Sequence, residues 1–165
     1  MDIENHTTRQ VYIQLLADVL KKKLEVLSRL MSLTEQQEKM ITSDLFEEDQ
    51  FLQTVTLKEE QLQNLSKLDT GFEQLYEGVR DELVVNKENY VTEIALLKEQ
   101  ILSVTDMNVK LQAMEKRNKS KLEFLFVKKR KDLKNSRISS QTATNYYKTM
   151  ANQHEVQSFF YDKKK

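Results

Sequence analysis

The chain contains no proline and only two glycines in 165 residues, and this shortage of helix-breaking residues constrains its fold more than any other feature. Sheet proteins need tight turns at regular intervals, and those turns draw heavily on glycine and proline. Long helices need neither residue, and a charged fraction of 32% suits helices with large solvent-exposed faces. The composition therefore predicts an elongated, all-α protein.

Apolar residues recur at spacings of three and four, which is the period of a helix rather than of a strand. The pattern lapses near Ser43 and again near Asn86, and each lapse predicts a reversal of the chain. We therefore expect an antiparallel three-helix bundle or coiled coil that occupies residues 1–137. The expected helices cover residues 7–41, 45–85 and 89–134.

Polar side chains mark the predicted helix starts. Thr7 and Gln10 have the spacing of a capping box for the first helix. Ser43 and Asp44 are expected to cap the second helix, with the acids that follow lying at the positive end of its dipole. The third helix is expected to begin in the polar stretch that opens at Asn86.

Three residues inside the predicted helices depart from the apolar pattern. Gly71 and Gly78 each cost a helix about 1 kcal/mol relative to alanine, so we expect close packing or a local bend there. Asn108 stands where a core residue is expected. It either fixes the register of the bundle or lies at its edge, if Met107 and Met114 form the packing surface instead.

The chain has 26 acidic and 26 basic residues, and they are strongly segregated. Residues 35–99 carry 16 acids and six bases, whereas residues 116–137 carry ten bases and two acids. An up-down-up bundle places this basic block beside the first reversal and its acids. We interpret the segregation as charge complementarity that sets helix pairing and orientation. Nucleic-acid binding is the alternative, and it is disfavoured because the acidic segment repels phosphates.

The residue inventory leaves little catalytic or metal chemistry. There is no cysteine, and neither of the two histidines follows a glutamate at the spacing used by di-iron bundles. Neither glycine lies in a loop that could bind a phosphate. We therefore expect no enzymatic activity, no cofactor, no metal and no membrane-spanning segment.

The composition changes after Arg137. A polar, hydroxyl-rich stretch is followed by aromatic residues on a polar background, and five of the thirteen aromatic residues lie in the last twenty positions. We expect a flexible or partly helical C-terminal tail over residues 138–165. Its aromatic residues either bind a helix of a partner protein or fold back onto the bundle.

Several stretches resemble the FlgN-like flagellar export chaperones. Residues 43–45 read Ser-Asp-Leu where that family often has Gly-Asp-Leu, so the serine is a departure. Residues 51–62 are similar to the family's apolar-spaced run around a Lys and a Leu. Residues 145–148 and 157–165 are similar to its closing segment, so the resemblance spans most of the chain.

The resemblance implies a cytoplasmic protein without catalytic activity. Members of the family bind the hook-associated proteins of the hook–filament junction, prevent their premature polymerisation and bring them to the flagellar type III export gate. Their C-terminal portion holds a helical end of the substrate protein. The matching positions in this chain are Tyr146, Tyr147, Met150, Val156, Phe159, Phe160 and Tyr161.

The implied partners are thus hook-associated proteins and the export apparatus, with no nucleic acid and no membrane insertion. We expect the chain itself to be a monomer or a homodimer. The alternative function is that of a structural or scaffolding coiled coil, which would associate further as its concentration rises.

Overall fold

The computed structural model describes residues 2–128, which form three long helices joined by short connections. This part of the chain contains no β-strand, so the predicted all-α fold is confirmed. With 41 residues, the first helix is about 60 Å long. The helices are α1 (Asp2–Thr42), α2 (Glu48–Val85) and α3 (Val91–Lys128), and a 3₁₀ turn at Lys87–Tyr90 precedes α3.

α1 and α2 are antiparallel along their whole lengths. Arg9 near the start of α1 pairs with Glu82 near the end of α2, at 3.1 Å between nitrogen and oxygen. At the opposite end of the bundle, Gln37 of α1 donates a hydrogen bond to Thr54 of α2 at 3.0 Å. The connection between the two helices is therefore a simple reversal, as predicted.

α3 runs parallel to α1. Gln100 Nε2 donates to the Ala17 carbonyl at 3.3 Å, and further along both helices Asn118 Nδ2 donates to the Thr34 carbonyl at 3.0 Å. α1 packs closely against both other helices, whereas the backbones of α2 and α3 approach each other much less. The bundle is thus organised around α1, and long side chains make much of the contact between α2 and α3.

The buried positions of the helices alternate three and four residues apart, which is the heptad spacing of a coiled coil. A strict heptad repeat imposes a left-handed supercoil, because an ideal helix has 3.6 rather than 3.5 residues per turn. Each leucine buried at these positions stabilises the fold by about 1.5–3 kcal/mol. In α1 the positions are Ile13, Leu16, Leu20, Lys23, Leu27, Leu30, Thr34, Gln37 and Ile41; in α3 they are Leu97, Ile101, Val104, Asn108, Leu111, Glu115, Asn118, Leu122 and Leu125.

α1 begins earlier than predicted. Its first residue is Asp2 rather than Thr7, so the predicted capping box at Thr7 and Gln10 is wrong. The helix extends upstream because residues 2–6 contain neither proline nor glycine to stop it. Its end at Thr42 agrees with the prediction within one residue.

α2 begins later than predicted, at Glu48 rather than at residue 45. Ser43 does not cap it, because its hydroxyl accepts a hydrogen bond from the Leu45 amide, at 3.3 Å, and so stabilises the turn itself. Glu47 occupies the N-cap position without a side-chain hydrogen bond. Glu48 and Asp49 lie in the first turn, where carboxylates favour the helix dipole as expected.

The second reversal lies where it was predicted, but Asn86 acts differently. Its side chain makes no cap for the following turn and instead donates to Glu82 Oε2 of α2 at 3.1 Å. Its backbone amide also bonds to the Glu82 carbonyl, at 2.9 Å, which closes the end of α2. α3 therefore begins after the 3₁₀ turn, at Val91 rather than at residue 89.

α2 is continuous through Gly71 and Gly78. A Cβ atom added at either glycine would meet nothing within 4 Å, so the predicted close packing is wrong. Asn108, by contrast, is buried at a core position of α3, which excludes the alternative that it lies at the edge of the bundle. The predicted domain boundary at residue 137 lies outside the described residues.

Candidate functional site

The seven predicted substrate-binding residues belong to the closing segment of the chain. All of them, and the whole predicted tail over residues 138–165, lie outside the described residues. The structure therefore brings none of them together with any other group. They are Tyr146, Tyr147, Met150, Val156, Phe159, Phe160 and Tyr161.

Within the described residues, a layer of polar side chains crosses the core between all three helices. Lys58 of α2 and Glu115 of α3 form an ion pair at its centre, and both side chains are almost completely buried. Lys58 Nζ also donates a hydrogen bond to Gln37 Oε1 of α1, at 2.8 Å. Gln37 Nε2 in turn donates to Thr54 Oγ1 of α2 at 3.0 Å, so one hydrogen-bonded layer joins the three helices.

α1 makes a second contact with the carboxylate of this layer. Thr34 Oγ1 lies 2.9 Å from Glu115 Oε1 and 2.7 Å from the Leu30 carbonyl oxygen, and its single proton can be donated to either acceptor. Three residues after Glu115, Asn118 bonds to the carbonyl of Thr34. The layer therefore fixes the axial position of α3 against α1.

A second buried ion pair joins α1 to α2, between Lys23 and Asp69. Burial lowers the pKa of Lys23 and raises the pKa of Asp69, in each case against the opposing charge of the partner. Burial likewise lowers the pKa of Lys58 to about 8, although Glu115 favours its charged form. For these groups the removal of charge from water outweighs the attraction between the partners.

The polar layer divides the apolar core into two clusters. The larger cluster runs from the α2–α3 reversal to Leu30 and Leu111, and the smaller lies at the opposite end, around Ile41 and Leu125. Val55 packs against both clusters. Because the side chain of Lys58 is fully buried, a substrate has no access to it. We therefore interpret this polar layer as a structural feature that aligns the three helices.

These buried charges were not predicted from the sequence, although their spacing in the chain indicates their burial. Lys23 lies three residues after Leu20 and four before Leu27, both of which are core positions. Lys58 similarly lies four residues before the buried Leu62. A charged residue that stands at the heptad position between two leucines indicates a buried polar partner on the facing helix.

The basic block lies beside the first reversal, as predicted, for the part of it that the structure describes. Lys121 Nζ of α3 pairs with Glu38 Oε1 of α1 at 3.0 Å, and both side chains remain partly exposed. Further along, Lys121 and Lys128 share the lining of a groove with Asp44 of the reversal. Opposite charges thus face each other where α3 passes the end of α1.

The groove has a volume of about 500 Å³ and lies between the end of α1 and the last turns of α3. Its floor contains Ile41 and Leu125, both of which are buried. On its rim, Phe124 leaves 69% of its surface exposed. It is therefore an apolar depression with a charged border.

The described residues contain no group of three or more potential metal ligands among His, Cys, Asp and Glu side chains. None of the three helices is both long enough and apolar enough to cross a lipid bilayer.

Comparison of the chain with protein-family models, with curated proteins and with solved structures gives no match in any of the three.

Proposed function

We propose that the protein is a cytoplasmic export chaperone of the FlgN-like kind. In this role it binds hook-associated proteins, keeps them from polymerising and delivers them to the flagellar type III export gate, and it catalyses no reaction. The sequence resemblance at the first reversal and in the closing segment motivates this proposal. The elongated three-helix architecture of residues 2–128 is compatible with it.

One structural observation carries the proposal further. Within residues 2–128, heptad positions of α1, α2 and α3 pack against one another and form the larger apolar cluster. We infer that the aromatic residues between Tyr146 and Tyr161 serve a partner rather than this core. Apolar anchors at helical spacing suit the docking of a partner helix.

The energetics of such a tail also suit a transport chaperone. Ordering a segment costs about 1–2 kcal/mol per residue, so a large aromatic contact is needed to offset that cost. The ordering cost limits the net affinity, which favours release of the substrate at the export gate.

A binding titration between the full-length chain and individually purified hook-associated proteins of the same organism tests the proposal. We expect a complex of defined stoichiometry with at least one of them by isothermal titration calorimetry. The triple variant Tyr147→Ser/Phe159→Ser/Phe160→Ser should weaken this complex at least about tenfold, which corresponds to about 1.4 kcal/mol. Its helicity by circular dichroism should equal that of the parent.

The matched control replaces two valines that are exposed at the end of α2. Val84 and Val85 leave 67% and 77% of their surfaces exposed, so Val84→Ser/Val85→Ser removes apolar surface and leaves the sequence of the tail unchanged. This variant should bind like the parent. The proposal fails if no hook-associated protein binds, or if the triple variant binds as tightly as the control.

A scaffolding coiled coil is the second candidate, and the outer face of α3 is the observation that favours it. Leu102 and Val109 lie one heptad apart and are about half exposed, and Val91 lies upstream on the same face. Formation of oligomers larger than a dimer as the protein concentration rises, measured by sedimentation velocity, would support this candidate. A constant monomer or dimer would instead support the chaperone.

A further inference from the structure

The groove between α1 and α3 has the floor of a protein-binding site. Ile41 and Leu125 form its buried base, and Phe124 stands at its edge with 69% of its surface in solvent. Leu45 and Val127 are exposed by 73% and 76% close to the same end of the bundle. An exposed aromatic side chain beside a buried apolar lining is typical of a surface that a partner covers.

The border of the groove is mainly basic. Lys121 and Lys128 line it directly, and a shallow depression that shares Ser120 and Lys121 with the groove continues along α3. Lys116, Arg117 and Lys119 line that depression. A partner with negative charges beside its apolar contact residues would complement this surface.

We propose that this groove is a docking site for an amphipathic helix of another protein whose apolar face is bordered by acidic side chains. The stretch from Lys116 to Lys128 is about 18 Å long at 1.5 Å per residue, so a helix of about 12 residues matches it. The helix would insert apolar side chains against Phe124 and Leu125. Its acidic side chains would lie beside the lysines of the border.

Two features favour a protein helix over a nucleic acid. Lys121 is already paired with Glu38, and Asp44 and Glu123 stand beside the basic residues, so negative charges interrupt the surface that phosphates would follow. The lining of the groove combines the exposed ring of Phe124 with the aliphatic side chains of Ile41 and Leu125. An apolar floor with carboxylates at its border suits a mixed apolar and charged helix better than a continuous line of phosphates.

Fluorescence anisotropy with the full-length chain tests this proposal. The acidic probe is a labelled peptide of about 14 residues with leucines at i, i+3, i+4 and i+7 and glutamates on both flanks. A second peptide has lysines in place of the glutamates, and a labelled single-stranded oligonucleotide is the third probe. At about 0.15 M salt, the acidic peptide should bind at least about tenfold more tightly than the basic one.

Variants of the groove distinguish specific docking of the peptide from non-specific association. Phe124→Ser should weaken binding of the acidic peptide at least about tenfold, since it removes the exposed aromatic contact. Leu102→Ser is the matched control, because Leu102 is half exposed on the same helix but lies about 33 Å from Phe124. For the charges, Lys128→Glu should weaken binding and Lys98→Glu should not.

Five outcomes would overturn the proposal. The first four are failure of the acidic peptide to bind, equal binding of the basic peptide, an equal effect of Leu102→Ser and Phe124→Ser, and tighter binding of the oligonucleotide than of the acidic peptide. The triple variant of the closing segment supplies the last check. A rise in affinity for the acidic peptide in Tyr147→Ser/Phe159→Ser/Phe160→Ser would assign the groove to the chain's own tail and would likewise overturn the proposal.

Discussion

Lys58 of α2 and Glu115 of α3 form an ion pair in the interior of the bundle, in the same layer as Gln37 and Thr34 of α1. The backbones of α2 and α3 approach each other less closely than either approaches α1, so the long side chains of Lys58 and Glu115 bridge the gap between them. Its charges interact only if the two helices have one particular axial alignment. The pair therefore acts as a register constraint on an otherwise repetitive heptad core.

Replacing Lys58 alone, so that Glu115 remains in the core, should destabilise the protein strongly. Lys58→Met leaves the Glu115 carboxylate without its buried cation, and we expect a loss of about 3–5 kcal/mol in the free energy of unfolding. Urea denaturation monitored by circular dichroism measures the change. The control is Lys67→Met on the same helix, whose side chain is exposed and whose replacement should change stability by less than about 0.5 kcal/mol.

Replacing both partners should cost much less stability than replacing one. Because burial already lowers the pKa of Lys58, the pair is held at a net cost of desolvation. Lys58→Met/Glu115→Leu should therefore recover most of the stability lost in Lys58→Met, and it can exceed the parent. A double variant as unstable as the single one would show that the pair is itself a net source of stability.

The stability of the bundle should rise with pH between about 8 and 10. Burial lowers the folded-state pKa of Lys58 from its ordinary value of 10.5 to about 8, so the unfolded chain binds more protons in this window. Excess proton binding by the unfolded state makes the free energy of unfolding increase with pH, here by about 2 kcal/mol. Lys23, whose pKa burial also lowers, acts in the same direction.

Denaturant titrations at pH 8, 9 and 10 measure this slope. The control is Lys58→Met/Glu115→Leu, in which only Lys23 remains and the slope should be smaller. Above about pH 10 the slope should weaken, because the pKa of the buried Tyr90 is raised and its retained proton acts in the opposite sense. A slope that is equal in the parent and the control would contradict the assignment to Lys58.

The core of the fold was predictable because apolar burial follows the helical period. Leu16, Leu27 and Leu97 stand at the spacings that a helix requires, and all three are buried. Helix starts were less predictable. Thr7 has the residue type and spacing of a cap, yet the chain upstream of it is equally compatible with a helix, so sequence preference alone does not stop α1 there.

The buried charges were missed because a charged residue is ordinarily assigned to the solvent. Lys23 and Asp69 lie 46 positions apart in the chain, and each is acceptable in the interior only because the other faces it. Local periodicity shows that a position is buried, but it does not show which distant side chain lies opposite. Whether two buried charges face each other depends on the axial alignment of their helices, and that alignment is seen only in the folded structure.

Alanine at the two glycines of α2 should stabilise the protein. Both glycines lie within a continuous helix and have open space where a Cβ atom would be placed, so the substitution introduces no clash. Gly71→Ala and Gly78→Ala should each raise the free energy of unfolding by about 1 kcal/mol. Thermal and urea denaturation measure the gain.

The reverse substitution on α3 is the control for this effect. Ala95 is exposed in the first half of α3, and Ala95→Gly should lower stability by about 1 kcal/mol through the same change in backbone entropy. If either Gly→Ala variant is less stable than the parent, the helix at that position needs a conformation or an approach that alanine does not permit.

The ion pair between Lys121 and Glu38 should contribute little to stability, even though it marks the alignment of α3 with α1. Both side chains are partly exposed, at 40% and 33%, so water screens their attraction. Lys121→Ala should lower the free energy of unfolding by less than about 1 kcal/mol at low salt. At about 1 M salt the difference should vanish, since the Debye length falls to about 3 Å. Urea denaturation of Lys121→Ala and Glu38→Ala at both salt concentrations measures the change in the free energy of unfolding. A loss of more than about 2 kcal/mol that persists at high salt would show that the pair is effectively buried, like Lys58 and Glu115.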